Sequence, residues 1–464
     1  MLNELGVVYG SVGDTGAALA RLADAERVAA GTGDRLLAAR IGANRARAVI
    51  SGGRVRSLEP ALRALEASLD DVPSGSAKAE LMISVASLYR QAFWFFDFPE
   101  SWLVMASERL SQAQDQATRV GNMRLVSYAK GHLGRLYEDD GALETALGLS
   151  RQAAFHASAA GSYESAYLWE WQIGRVLRKQ GQTAESIAAY HQAIETLERV
   201  RQDLIDGSPY TFHQKVQPLF IELSDILLIE ARRLRGDPRQ AALRNVQDIL
   251  EQAKSAELQD YFQNECVLPE TSVELDQVEQ GTATVYPIIL DDRVEMLVSI
   301  GGYIHQFTSR VERAELVAIV NDFRDNLQVD RGDDEYLEIA EELHVLLVAP
   351  FSDLLAENDV KTLLFVPDGA LRTISISAFH DGDQYLIERY AIAMTPGLNL
   401  TLPKPLELRQ ATVFAGGISE AVQGFSSLPG VPGELTNLRS KYGAAVLQDD
   451  NFRLDVVTDQ IGER

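Results

Sequence analysis

One cysteine, Cys266, stands in 464 residues. An intramolecular disulfide and a multi-cysteine zinc site are therefore excluded, and such sparing use fits a reducing compartment. Basic residues are scarce beside acids: 43 Lys and Arg face 67 Asp and Glu, a formal net charge of −24. A polyanion gains nothing from such a surface, so neither nucleic acid nor an anionic membrane is expected as a partner. No run approaches the roughly 20 apolar residues that cross a bilayer. The N-terminus, MLNELGVVYGSVGDTG, lacks the basic segment and apolar run of a signal peptide. A soluble, cytoplasmic protein is expected. There is no G-x-x-x-x-G-K-[ST] loop, and GGISEAVQG lacks the glycine spacing that supports a dinucleotide, so no cofactor is expected. What is present is enough apolar matter, 46%, for a sizeable core. The length suggests roughly two to four domains.

The first 200 residues repeat. LGVVY (Leu5 to Tyr9), LGRLY (Leu133 to Tyr137) and IGRVL (Ile173 to Leu177) each place Gly after a branched apolar residue, with a glycine-bearing turn to follow. A second helix comes next with small residues at fixed offsets: Ala18 and Ala25 around Leu22, Ala146 and Ala153 around Ser150, Ser186 and Ala193 around Tyr190. Small residues where antiparallel helices cross let the backbones approach, and one such hairpin must stack on others to bury its apolar face. Weaker units run through IGANRARAVI with PALRALEASL, and through SVASLYRQAF with ASERLSQAQDQA. The L-G-x-x-Y then A-x-x-x-F signature resembles the tetratricopeptide repeat, and three spaced matches favour it over a generic helical bundle. Gly134 and Gly174 stand 40 residues apart, against about 34 in the usual repeat, so extended helices are expected. The array starts without a polar cap, which leads to the expectation that it begins inside a longer one. QAFWFFDFP (Gln91 to Pro99), the densest aromatic patch, could line a peptide groove; aromatics at helical spacing are expected to be core instead.

From about Val200 to Gln280 the helical pattern continues without the signature. Gly236, Asp237 and Pro238 form a turn before a long helix. The basic cluster ARRLRGDPR is expected to be a solvated helix end stabilised by the dipole. Cys266, flanked by Glu265 and Glu270, lacks anything that would lower a thiol pKa and reads as a small apolar residue rather than a nucleophile.

At Thr284 the period changes. TVYPIIL, RVEMLVSI and YIHQFTSRV are β-rich runs separated by the hairpin-type turns DD and GG. Two helices are expected over Val311 to Leu327 and Asp334 to Leu355. TLLFV has no polar face and reads as a strand covered on both sides, ended by PDG. ATVFAGG and AAVLQDD are further strands around the helix PGELTNLRSKYG, whose Pro432 sits in the first turn and whose Gly443 can close it. NFRLDVVTDQIGER starts another helix. Strands alternating with helices imply a parallel α/β sheet.

LLFVPDGALRTISISAF, YLIERYAIAMTPG and LPGVPGEL, preceded by AELQDYFQNECV and TVYPIILDDRVEMLVSI, resemble in order the first half of a CHAT domain, the caspase- and separase-like peptidase fold found with tetratricopeptide repeats. The expected fold class is thus a mainly α, tetratricopeptide-like α-solenoid followed by a truncated α/β caspase-like domain. Repeats would occupy 1–200, a helical connector 201–280 and the CHAT portion 281–464. The resemblance implies a cysteine peptidase whose repeats take a protein or peptide partner. Its catalytic histidine, in a His-Gly pair, and its cysteine would lie further on. No His follows His380 and no Cys follows Cys266, so no catalytic, cofactor-binding or metal residue is assigned, and the chain is expected to be inactive alone and to continue past Arg464. The substitutes are weak. Cys266 and His305 stand in reverse order in the lead-in region, and His380, in FHDGDQ, is expected to face solvent. Asp381 and Asp383 lack the distributed ligands of an EF-hand loop. A non-catalytic scaffold built on the repeats is the alternative.

Overall fold

The computed structural model describes residues 1–96, 98–200, 216–262, 281–328, 334–398, 413–454 and 456–457. Ten of the described helices form antiparallel hairpins in sequence order: α1 (Leu2–Ser11), α2 (Thr15–Ala30), α3 (Arg35–Ser51), α4 (Val55–Asp70), α5 (Ser76–Phe96), α6 (Ser101–Arg119), α7 (Met123–Asp139), α8 (Leu143–Ala159), α9 (Tyr163–Lys179) and α10 (Thr183–Glu198). The long period has a simple origin. Helices α7, α8 and α9 are each 17 residues long. Each ends in a turn through a left-handed glycine, Gly141, Gly161 or Gly181, a conformation that costs glycine nothing.

The signature glycines act as expected. A Cβ on Gly6 would stand 2.6 Å from Leu22, one on Gly134 3.0 Å from Ser150 Oγ, and one on Gly174 2.6 Å from the Tyr190 ring. Ala18, Ala146, Ser150, Ser186, Tyr190 and Ala193 are fully buried. Where α7 meets α8 and α9 the crossing is polar but satisfied. Ser127 donates to the Ala153 carbonyl at 2.8 Å and accepts Trp169 Nε1 at 2.9 Å, while Gln172 donates to the Gly131 carbonyl and to Ser150. His132 lies against the Tyr128 and Trp169 rings. Burial, with Arg90 and Arg135 nearby, pushes its imidazole down to about 4.

The aromatic patch departs from expectation. Ala92 is buried, but Trp94 is 54% and Phe95 69% exposed. Four consecutive aromatics span a full helical turn. Phe96 lies on the inward side with Ala92, so Trp94 and Phe95 must point away from it. Beyond the turn Phe98 stacks on Trp102 with ring centres 4.0 Å apart.

Strands β1 (Thr282–Ile289), β2 (Val294–Ile300), β3 (Tyr303–Ser309), β4 (Thr362–Phe365) and β5 (Ala391–Met394) form one mixed sheet in the order β3-β2-β1-β4-β5. The three antiparallel runs and their DD and GG turns match the sequence reading, Gly301 and Gly302 both having positive φ. TLLFV pairs in parallel with β1 on one side and β5 on the other. Strand β5, in AIAM, was not anticipated: it is largely exposed and carries no burial pattern that a sequence could display. The helix expected over Asp334 to Leu355 breaks into Asp334–Leu347, a 3₁₀ turn Ala349–Phe351 and Ser352–Glu357, because Pro350 has no amide to continue the ladder.

Both faces of the sheet are covered. Ala283, Val285, Leu363 and Phe365 face a core shared with α13 (Arg313–Gln328) and α14 (Asp334–Leu347). Tyr286, Ile288, Leu297 and Ile304 face α11 (Gln217–Arg233) and α12 (Gly236–Phe262). The same core takes in Tyr190, Ala193 and Leu197 of α10. The connector helices are therefore a layer between the last hairpin and the sheet.

Two prolines end the parallel ladders. Val366 N donates to the Val285 carbonyl; the next bond would come from the amide of residue 287, which is proline. Thr395 N donates to the Phe365 carbonyl; the next donor would be residue 367, also proline.

The chain divides into two compact units, Met1–Thr401 and Leu402–Arg464. In the second, β6 (Phe414–Gly417) and β7 (Ala445–Gln448) pair in parallel around the helix Val431–Tyr442, which has Pro432 in its first turn and Gly443 at its left-handed end, as expected. The first two glycines of GGISEAVQG serve packing: a Cβ on Gly416 would meet Phe452 at 2.1 Å and one on Gly417 would meet Val431 at 2.7 Å.

Two outcomes are expected from the repeats. Gly174→Val, which drives a side chain into the Tyr190 ring, should lower stability to urea by roughly 1–3 kcal/mol. Gly148→Ala, in α8 with nothing within 4 Å of the added carbon, should raise it by about 0.5–1 kcal/mol. Stability should also fall with pH between about 6.5 and 4. The unfolded chain takes a proton on His132 in that window and the folded one does not, a loss of up to about 3 kcal/mol that His132→Gln should abolish in pH-dependent urea titrations.

Candidate functional site

Past the two prolines, at the carboxyl end of β4, the loop Val366–Thr373 meets α12. Ligand sites of α/β sheets lie at this end. The α12 stripe that faces the sheet is mostly apolar, Leu243, Val246, Leu250 and Ala253, yet Gln240, Gln247, Glu251 and Lys254 share it and are buried. Each is partnered. Lys254 Nζ donates to the Pro367 carbonyl at 3.0 Å, and Arg372 Nε donates to the same oxygen at 3.3 Å. Arg372 also grips Glu257 through two bonds of 2.7 and 2.8 Å and lies 3.0 Å from Asp368. Gln217 of α11 donates to Asp368 at 2.8 Å. Glu251 accepts the Tyr286 hydroxyl at 2.7 Å and the Leu398 amide at 3.1 Å.

The electrostatics follow from burial. The Lys254 ammonium is pushed below its ordinary value by desolvation, with Asp368 opposing the shift. The Tyr286 phenol is pushed well above its own by burial and by Glu251. A small cavity beside Lys254, Tyr286, Pro287 and Asp368 has about 20 Å³ of space for a water-sized sphere, which holds roughly one water. The arrangement can pin the loop after β4 to the helical layer, and in that sense it is a clamp.

A second cluster joins the layer to the hairpins. Glu295 on β2 is fully buried and accepts Arg293 Nε at 2.6 Å, Thr308 Oγ1 at 2.9 Å and Gln306 Nε2 at 3.2 Å. Arg232 of α11 pairs with it too. Arg293 bonds Asp225 of α11, which also bonds Arg178 of α9. Burial alone would lower the Arg293 pKa, but its bonds to Glu295 and Asp225 dominate and raise it above the usual arginine value. Beside this, Glu222 of α11 accepts Tyr190 Oη and Trp171 Nε1, both at 2.7 Å. Arg232 and Arg233, expected as a solvated helix end, are exposed in the last turn of α11, and each also pairs with a carboxylate, the first with Glu295 and the second with Glu230.

The residues weighed from sequence do not assemble. Cys266 lies outside the described residues. His305 is half-buried on β3; burial and Arg239 lower its pKa. His380, expected to face solvent, is buried at 9% exposure. Its ring meets Tyr385 at 4.9 Å, and its Nδ1 accepts the Gly382 amide at 3.1 Å. That nitrogen's lone pair is therefore used, and Glu341, 3.4 Å away, is a charge neighbour. Turn residues after an apolar run read as exposed, but the backbone bridge from His380 to Tyr385 folds this turn back on itself. Asp381 caps the Asp383 and Gln384 amides at 2.9 Å, and among the described residues no group of three or more His, Cys, Asp or Glu could hold a metal. No described helix is long and apolar enough to cross a membrane.

Residues 337–464 match the CHAT domain. The loop after β4, the buried His380 turn and the whole second unit fall inside that match. With the hairpin array before it, the chain is a tetratricopeptide-like helical repeat array followed by a mixed α/β domain of caspase-like architecture. No curated protein matches the chain. Among solved structures, BtubC (BKLC) from P. vanneervenii is similar at 14% identity and a TM-score of 0.38, over 60% of this chain and 98% of that one. TPR-like repeats from Podosopora anserina are similar at 16% identity and a TM-score of 0.33, over 46% of this chain and 95% of that one.

Glu295→Ala would leave the largely buried Arg293 and the more exposed Arg232 without their shared carboxylate. A loss of ~3–5 kcal/mol is expected in urea unfolding, with Glu295→Gln, which keeps the hydrogen-bond acceptor, losing less.

Proposed function

We propose that these residues are the repeat-bearing regulatory portion of a caspase-like cysteine peptidase, organised as repeats 1–200, a helical connector 201–280 and CHAT sequence 281–464. The CHAT match over 337–464 carries this reading. The hairpins take a protein or peptide partner in the cytoplasm, and neither nucleic acid nor a membrane is the ligand. A caspase-type cut needs a thiolate to attack the carbonyl and an imidazole to move protons. His380 has its Nδ1 engaged by a backbone amide, and Cys266 stands among acids, so these residues bring no dyad to that chemistry. Their contribution is to receive a signal and hold the sheet. The pairing of Arg178 with Asp225, and of Tyr190 with Glu222, supports a mechanical link from repeats to connector.

A second reading, a scaffold without catalysis, draws on the same engaged histidine. Incubation of the purified 464-residue chain with unfolded protein and with a peptide library should give no cleavage. Cleavage lost in Cys266→Ala or His380→Ala would overturn the first reading's account of where the chemistry lies, and a partner captured by the hairpins without any peptidase activity in its complex would favour the second.

A further inference from the structure

Strand β3 is one edge of the five-stranded sheet. Both outward-facing backbone groups of Ile304 are taken by one side chain: Gln240 Nε2 donates to its carbonyl and Gln240 Oε1 accepts its amide, both at 2.9 Å. In an antiparallel ladder alternate residues point the same way. The backbone groups of Gln306 and Thr308 therefore face outward beside Ile304. An edge of this kind is a template for another strand.

The ground beside it is cationic, in a chain whose net charge is −24. An open groove with about 290 Å³ of water-accessible space is lined by Arg235, Arg239, Gln240, Tyr303, His305 and Phe307 among others. Arg239 Nε is buried without a hydrogen-bond partner. Arg235 donates to the carbonyls of Arg232 and Leu234. Among the described residues neither arginine forms a salt bridge. Several arginines of the connector and sheet find a carboxylate, as Arg232, Arg233, Arg293 and Arg372 do. Among the described residues Arg235, Arg239, Arg244 and Arg310 do not; the first two line one groove beside a strand edge that has no neighbouring strand, and together they mark a place where the negative charge comes from outside.

We infer that β3 and this groove receive an extended acidic peptide segment of a partner protein, which pairs with the Gln306 and Thr308 backbone and sets its carboxylates against Arg235 and Arg239. The strand pairing supplies register and the arginines supply charge selection. The site is separate from the hairpins and stands whether or not the chain serves a peptidase.

The test is fluorescence anisotropy of the full chain with a labelled octapeptide of alternating Glu and Val. Saturable binding is expected, weakened at least tenfold by Arg235→Glu with Arg239→Glu and by raised salt, and absent for the Lys and Val counterpart. The decisive arm alters the peptide, not the protein. N-methylation of one alternate set of amides should abolish binding, and of the other set should leave it intact. Circular dichroism melts show whether the arginine variants fold. The inference is overturned by no binding, by equal tolerance of both N-methyl sets, or by full competition from inorganic phosphate with no N-methyl effect, which would make the groove a plain anion site. A concentration-dependent dimer in sedimentation, lost in Arg239→Glu, would overturn it in favour of a second copy of the chain.

Discussion

The sheet's central strand has no solvent face, and the architecture follows from that. Every residue of β1 after Thr282 is buried, with alternate side chains going to opposite cores. Such a strand needs a helical layer on each side. One is supplied locally by α13 and α14. The other, α11 and α12, must also close the open end of the hairpin stack, because a last hairpin cannot bury its own outer face. The same two helices serve both needs, so the repeats and the sheet share one apolar core instead of meeting at a polar linker.

That shared core is reinforced by charges that belong to three elements at once. Asp225 on α11 lies between Arg178 of the repeats and Arg293 of the sheet turn. A carboxylate between two guanidiniums cannot follow one without leaving the other under-compensated, and at low exposure that imbalance costs far more than at a surface. Displacement of α9 would be felt at the turn after β1. At the far end of the same layer, α12 holds the loop after β4 through Lys254 and Glu257. The layer thus connects the helical repeats to the carboxyl end of the sheet through packed helices rather than flexible chain.

Much of this was legible in the sequence. Glycines spaced with alanines announced the hairpins because close approach tolerates few residue types, and GG announced its β-turn because a left-handed backbone favours glycine, while DD announced its turn by composition. The buried TLLFV run announced a covered parallel strand. What stayed hidden depended on long-range contacts. Strand β5 is short and mostly exposed, so AIAM shows no alternation. His380 is buried by a turn that closes on itself, and no local pattern encodes that. Trp94 and Phe95 are exposed because a helix has only one inward face, while a count of aromatics sees four. The clamp residues left one trace, a line of Gln240, Gln247, Glu251 and Lys254 within an apolar helical stripe. Polar groups at such spacing usually signal a partner across the interface, but the sequence alone does not say which.

The paired prolines have a wider meaning. In an ordinary parallel sheet the carbonyl oxygens at a strand's end are served by neighbouring main chain, whose chemistry is the same for every residue. Pro287 and Pro367 remove the donors that would serve the Val366 and Thr395 oxygens and so end the ladders, and the next oxygen of the β4 chain, that of Pro367, is served by a lysine and an arginine. A join of this kind is written in side chains. It can be loosened or retuned by single substitutions, and the strands on either side keep their pairing when it is.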